Sequence, residues 1–269
     1  MHRPDASISQ PDRSRAHRFG MLVAAAAAVV AVPMAANAFS VLAMGPWDLW
    51  TDTQTAVGQG LYQVSLAAAA VAVCLLFGVD TALLLGLRVQ SRTRELAGAV
   101  GPTCALLAVG VAAFLLTGGG SGVANANLHG AAGSAMIAAV VIGAPLAEEL
   151  LFRGLLFGSA RRVVNLPVAA IISSAAFVWV HVGTYTDALS LASVGTLGLL
   201  MCWVRERSGS LLLCVTMHST LNAFSVAAMS NAGLAVAFCA PVICAAVILM
   251  AMRAGQPRPA SQTAAAATA

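Results

Sequence analysis

From Gly20 to Met252 the sequence is a series of apolar runs separated by short polar linkers, each run near the roughly 20 helical residues that cross the hydrocarbon core of a bilayer. No other feature constrains the fold as strongly. The chain is 59% hydrophobic and only 9% charged, whereas a soluble domain carries roughly 25% charged residues. The fold class that follows is all-α, a polytopic membrane helix bundle of about eight transmembrane helices.

The expected spans are Gly20 to Met44, Leu61 to Leu87, Leu96 to Leu116, Ala131 to Phe157, Leu166 to Val182, Leu189 to Val204, Ser210 to Ala228 and Leu234 to Met252. Arginine is the only cation, and its distribution tests this division, because positive charge should concentrate in alternate, cytoplasmic loops. It does. The amino terminus, Arg88 to Arg94, Arg161 and Arg162, Arg205 and Arg207, and the carboxyl terminus hold every arginine except Arg153. The net charge of +4 therefore reports orientation, with both termini cytoplasmic in the cell membrane, and not nucleic-acid binding. Residues 1–19 are expected to be a cytoplasmic basic tail, 20–130 three accessory helices, 131–252 a catalytic helical core, and 253–269 a disordered tail with too little to bury. Ala36-Asn37-Ala38 also fits a signal-peptide cleavage site. The apolar run continues past it through Phe39, Val41 and Leu42, which favours a retained anchor.

Several polar features read as structural. Trp47 and Trp50 suit the headgroup region, where aromatic residues gather. Asp80 is expected towards the end of the second span. The Gly118-Gly119-Gly120-Ser121-Gly122 loop has the glycines of a phosphate cradle but neither its lysine nor its spacing. The six cysteines, Cys74, Cys104, Cys202, Cys214, Cys239 and Cys244, contain no C-x-x-C pair and act as small packing residues.

The fourth span differs in kind. Ala144-Pro145-Leu146-Ala147-Glu148-Glu149-Leu150-Leu151-Phe152-Arg153-Gly154 puts two carboxylates and a guanidinium inside an apolar helix. Each such group costs roughly 2.5–3.5 kcal/mol at the centre of a membrane helix on insertion scales, so it calls for a functional reason. Residues four apart stand one above the other, so Glu149 and Arg153 can pair, while Glu148 points elsewhere without a local counter-charge. Pro145 removes a backbone donor and predicts a kink just before the carboxylates. By themselves these charges fit a structural ion-pair network as well as a catalytic site.

Polar side chains in the later spans tip that balance. His181 ends the fifth span, with Phe177 on the same face; His218 and Asn222 share a face of the seventh. At 1.5 Å rise per residue, Glu148, Glu149 and His218 lie some 15 Å from their cytoplasmic loops and His181 about 22 Å, so convergence requires tilt or a kink. Hydrolysis needs an activated water, oxyanion stabilisation and a proton for the leaving group. Glu148 could serve as base once Arg153 has neutralised Glu149, His181 could share the water, and His218 and Asn222 could donate to the developing charge.

The set Glu148-Glu149-x-x-x-Arg153, Phe177-x-x-x-His181 and His218-x-x-x-Asn222, in that order over about residues 130–230, resembles the CAAX protease and bacteriocin-processing (CPBP, Abi) intramembrane proteases, which include the type II CAAX prenyl endopeptidases. The resemblance implies a membrane-buried peptidase in which Glu148 and His181 activate water, His218 and Asn222 stabilise the oxyanion, and Glu149 with Arg153 orders the site. That family has been described both as metalloproteases and as glutamate-dependent proteases. Glu148, His181 and His218 would make a three-ligand zinc site with an open position, yet no H-E-x-x-H helix is present, so metal-free water activation ranks ahead. The expected partners are the lipid bilayer and a membrane-associated peptide or protein, with prenylated CAAX proteins and bacteriocin precursors or immunity as compatible classes. Two other readings use the same polar groups: a transporter with a proton path, against which no second copy of the Glu-Glu-x-x-x-Arg pattern is found, and a non-catalytic immunity scaffold.

Overall fold

The computed structural model of the protein describes residues 14–81, 130–185 and 187–229. Six helices account for most of these: α1 (Arg15–Met44), α2 (Asp52–Leu76), α3 (Gly130–Ala160), α4 (Leu166–His181), α5 (Ala188–Ser208) and α6 (Leu211–Met229). No strand occurs among the described residues; an isolated bridge between Val182 and Tyr185 closes the turn after α4. α1, α2, α3 and α5 are long and apolar enough to cross a membrane, and α4 and Leu211–Val226 of α6 are shorter apolar helices. The all-α membrane bundle read from the sequence is therefore what the chain forms. The expected third and eighth spans, the carboxyl tail and residues 1–13 of the amino tail lie outside the described residues; from Arg15 the expected tail is instead the start of α1, ahead of the expected Gly20.

The second span needs correction. Its helix begins at Asp52 and ends at Leu76, well before the expected Leu61 to Leu87. The start is set by a capping box, in which the Thr51 hydroxyl accepts from the Gln54 amide and the Gln54 side chain accepts from the Thr51 amide. The end is set by a turn at Phe77 and Gly78, whose φ of +52° suits glycine. Asp80 consequently falls beyond the helix on an exposed stretch. Before α2, a short 3₁₀ turn (Trp47–Leu49) carries Trp50 back so that its indole donates to the Gly45 carbonyl at 2.8 Å. Gly58 makes room for that indole, since a Cβ there would lie 2.6 Å from the ring.

α3 is the axis of the bundle, and the main core gathers around its second half. Leu151, Phe152, Leu155 and Leu156 pack with Met21 and Ala25 of α1, Leu66 and Ala70 of α2, and Phe177 of α4. α4 and α5 form a hairpin in close contact, with Gly198 facing Ser174. Asn165 caps α4 through Val168 N–H and Asp187 caps α5 through Ser190 N–H. Arg161 clamps the α3–α4 connection to the end of α5 by a two-pronged pair with Glu206, at 3.1 and 2.7 Å. That hydrogen bond to Glu206 holds the Arg161 guanidinium above its ordinary range. The outer faces stay apolar, with Phe19, Met34, Phe39 and Leu42 of α1 and Val64 and Leu75 of α2 exposed. Such a ring of large apolar side chains suits lipid contact.

Candidate active site

The kink expected at Pro145 takes the form of two wide turns in α3. Residues Ala139–Gly143 and Leu150–Leu156 are π-helical, with Ala144–Glu149 α-helical between them. In the first wide turn the Ala144 amide donates to the Ala139 carbonyl, five residues back. The next bond in that register would join residue 145 to the Val140 carbonyl, but proline has no N–H to give. Asn222 of α6 fills the gap, donating from its side-chain nitrogen to the Val140 carbonyl at 2.9 Å. In the second wide turn the Phe152 carbonyl accepts the Phe157 amide and also the Ser173 hydroxyl of α4, the latter at 3.0 Å. Neighbouring helices thus serve the backbone groups that the irregular turns leave over.

The segment between and after these turns carries the charges. Glu149 and Arg153 are both fully buried, at 0% exposure, and pair through Oε1 and Nη1 at 3.0 Å. His218 of α6 meets the same Oε1 through Nδ1, also at 3.0 Å. Since a carboxylate only accepts, the His218 Nδ1–H donates to it, and Nε2 is left to face Glu148, 3.8 Å from Oε2. Glu148 is 9% exposed, and its Oε2 has no hydrogen-bond partner among the described residues. The i, i+4 pairing read from the sequence is present, and Glu148 stands apart from it.

Phe177 connects the remaining pieces. The Arg153 guanidinium carbon lies 4.2 Å from the Phe177 ring centroid. The same ring is 4.5 Å from the imidazole of His181 and 5.8 Å, edge to face, from that of His218. The two histidines, unequal in depth by counting residues, both meet the one aromatic ring. His181 donates from Nδ1 to the Phe177 carbonyl at 2.7 Å, which leaves its Nε2 lone pair uncommitted in the neutral ring. Beyond it, the turn Val182-Gly183-Thr184 folds back, with Gly183 at φ +101°, and stacks Tyr185 on His181 at 6.0 Å and 16°. Burial pushes the Tyr185 phenol above its ordinary range, and the negative charge of Glu148 adds to the shift. Tyr185 carried no signal in the sequence beyond its closeness to His181.

All six residues singled out in the sequence lie on α3, α4 and α6 around this hub, except that Asn222 is engaged at the Val140 turn. Among the described residues no group of three His, Cys, Asp or Glu side chains converges closely enough to hold a metal ion. Glu148, His181 and His218 as arranged do not fit zinc, and no step below passes through one.

Residues 130–224 match the family described as type II CAAX prenyl endopeptidase Rce1-like. Over 85 residues the chain is 35% identical to the UPF0177 protein YxdF of Lactococcus lactis subsp. lactis (strain IL1403), covering 32% of this chain and 45% of that protein. It is 40% identical over 81 residues to an uncharacterized 24.3 kDa protein of Escherichia coli, covering 29% and 37% respectively. The chain thus spans less than half the length of these curated relatives. No solved structure matches it. The matched residues 130–224 supply Glu148, Glu149, Arg153, His181, His218 and Asn222, so over this segment the chain is similar to the Rce1-like type II CAAX prenyl endopeptidases.

Proposed function

We propose that the protein is an intramembrane endopeptidase that hydrolyses peptide bonds of a membrane-associated peptide or protein. The observation that carries this reading is the buried cluster of Glu148, Glu149, Arg153 and His218 inside the segment matched to the prenyl endopeptidases. Glu148 is the base. It takes a proton from a water whose oxygen attacks the scissile carbonyl carbon, and His181 Nε2 accepts a hydrogen bond from the same water. The carbonyl π pair moves onto oxygen, where His218, held by Glu149 through Nδ1–H, stabilises the oxyanion from its Nε2 side. Asn222 has a second amide N–H beyond the one given to Val140, and this also serves the oxyanion. As the C–N bond breaks, Glu148 returns its proton to the departing nitrogen, leaving a carboxylic acid that passes its own proton to the freed amine as the products separate. Arg153 holds Glu149 in register, so that His218 keeps one direction. Prenylated CAAX-type proteins are one substrate class that the match over residues 130–224 suggests. We place both termini on the cytoplasmic side, from the alternation of arginine between loops.

The test is cleavage of a membrane peptide by purified protein and by its Glu148→Gln variant. This isosteric change removes the base and should abolish turnover while leaving the helical spectrum and unfolding midpoint unchanged. Proteolysis that survives in Glu148→Gln removes Glu148 from the role of base. A wild-type protein that cleaves no membrane peptide, yet carries protons across vesicles, supports the proton-path reading instead.

A further inference from the structure

Outside the matched segment, α2 brings one polar side chain into the bundle that the chemistry above does not use. Gln63 is 4% exposed, and neither its Oε1 nor its Nε2 has a hydrogen-bond partner among the described residues. Its stem packs beside Gly143, where a Cβ would lie 3.9 Å from the Gln63 Cγ. Gly143 closes the wide turn that Asn222 ties down at Val140, and precedes Glu148 by five residues, about 7.5 Å of helix. The neighbouring Tyr62 lies within electrostatic reach of the Glu148 carboxylate, and α2 packs along Ala144–Glu149. A buried amide with both ends open is costly, and in the part of α2 that follows it, Val64 to Leu76, every side chain but Ser65 is apolar.

A substrate held in this site has a matching need. A peptide bond is reached by attack only where its helix has opened, and each backbone N–H and C=O so freed in an apolar setting requires a partner. A primary amide offers one acceptor and one donor side by side, complementary to the N–H and C=O that a single extended residue turns to the same edge. We propose that Gln63 binds one extended backbone residue of the substrate, accepting its N–H at Oε1 and donating from Nε2 to its C=O, and so seats the opened chain beside Glu148. This assignment rests on the peptidase reading for the position of the scissile bond, but the binding itself does not.

The experiment uses the full chain in phospholipid nanodiscs and a dye-labelled Leu-Ala membrane peptide of about 20 residues with a central Gly-Gly. Two quantities are followed: cleavage by wild type and Gln63→Met, and peptide affinity by fluorescence anisotropy in Glu148→Gln with and without Gln63→Met. Methionine keeps the length of the side chain and removes both polar atoms. The expected result is an approximately tenfold rise in KM and in Kd, as for loss of one or two hydrogen bonds. kcat should change less than about threefold, and the unfolding temperature should hold or rise because an unpaired buried amide has gone. An unchanged KM and Kd overturns the assignment, as does a fall in unfolding temperature with affinity kept, which is the mark of a structural role. Cleavage with the same KM in both proteins sinks the Gln63 assignment and leaves the peptidase standing. Gln63-dependent binding without any cleavage by wild type does the reverse.

Discussion

Replacing Arg153 by methionine isolates the energetics of the buried network. Arg153 gives one hydrogen bond to Glu149 Oε1 at 3.0 Å and lies 4.2 Å from the Phe177 ring centroid, with both members of the pair at 0% exposure. Removing one partner of such a pair leaves an uncompensated charge in the interior, at about 3–5 kcal/mol. The lost cation–π contact in a desolvated site adds up to about 2 kcal/mol. Against this, His218 Nδ1–H still donates to the same Glu149 oxygen, so the net expectation sits near the middle, about 4 kcal/mol. The companion is Glu149→Gln with Arg153→Met, in which no charge is stranded; most of the stability should return, to within about 1 kcal/mol of wild type. Activity should not return, because His218 has lost the carboxylate that holds its Nδ1–H. The assay is reversible unfolding of the full chain from detergent micelles into SDS, followed by the fluorescence of its four tryptophans. A single variant that loses less than about 1 kcal/mol, or a double variant no more stable than the single, would refute the assignment of a buried, mutually dependent pair.

Two further predictions concern the frame. Gly198→Val should destabilise the α4–α5 hairpin by about 1–3 kcal/mol, since a Cβ at that position already lies 3.0 Å from the Ser174 Cβ and Oγ and 3.2 Å from its Cα; the same SDS titration reads it, and a variant as stable as wild type removes the close contact. In a cysteine-free background, Arg162→Cys and Thr184→Cys sit at opposite ends of α4. A membrane-impermeant maleimide added to intact cells should label the latter and spare the former, and the converse pattern reverses the orientation assigned from the arginines.

Much of the site was legible because it is written in helical spacing. Glu149 and Arg153, and His218 and Asn222, are each four apart, and each pair does act on one side of its helix: His218 reaches Glu149 and Asn222 reaches Val140, both on α3. The buried carboxylates announced themselves against an apolar background. What the sequence left out is tertiary. Pro145 marked where α3 would depart from regularity, but a π-helical register in place of a simple bend depends on Asn222 and Ser173 arriving from other helices to satisfy Val140 and Phe152. That His181 and His218 both contact the Phe177 ring is something no count of residues along a helix reveals. Gln63 was passed over because an uncharged amide at the start of an apolar run, with Gln59 one turn before it, reads as an ordinary polar helix face; its meaning comes from burial without a partner. The early start of α2 was available in Thr51-x-x-Gln54, a capping box that the hydropathy of the following run concealed.

The central claim is that a water activated at Glu148 cleaves a peptide bond within this bundle. Its most direct measurement is single-turnover cleavage of a membrane peptide in ¹⁸O-labelled water, with the new carboxyl terminus weighed by mass spectrometry for wild type and Glu148→Gln. Wild type is expected to give one ¹⁸O atom in the fragment that bears the new carboxyl terminus and none in the other, and the variant no product above background. Equal amounts of labelled product from both proteins would contradict it.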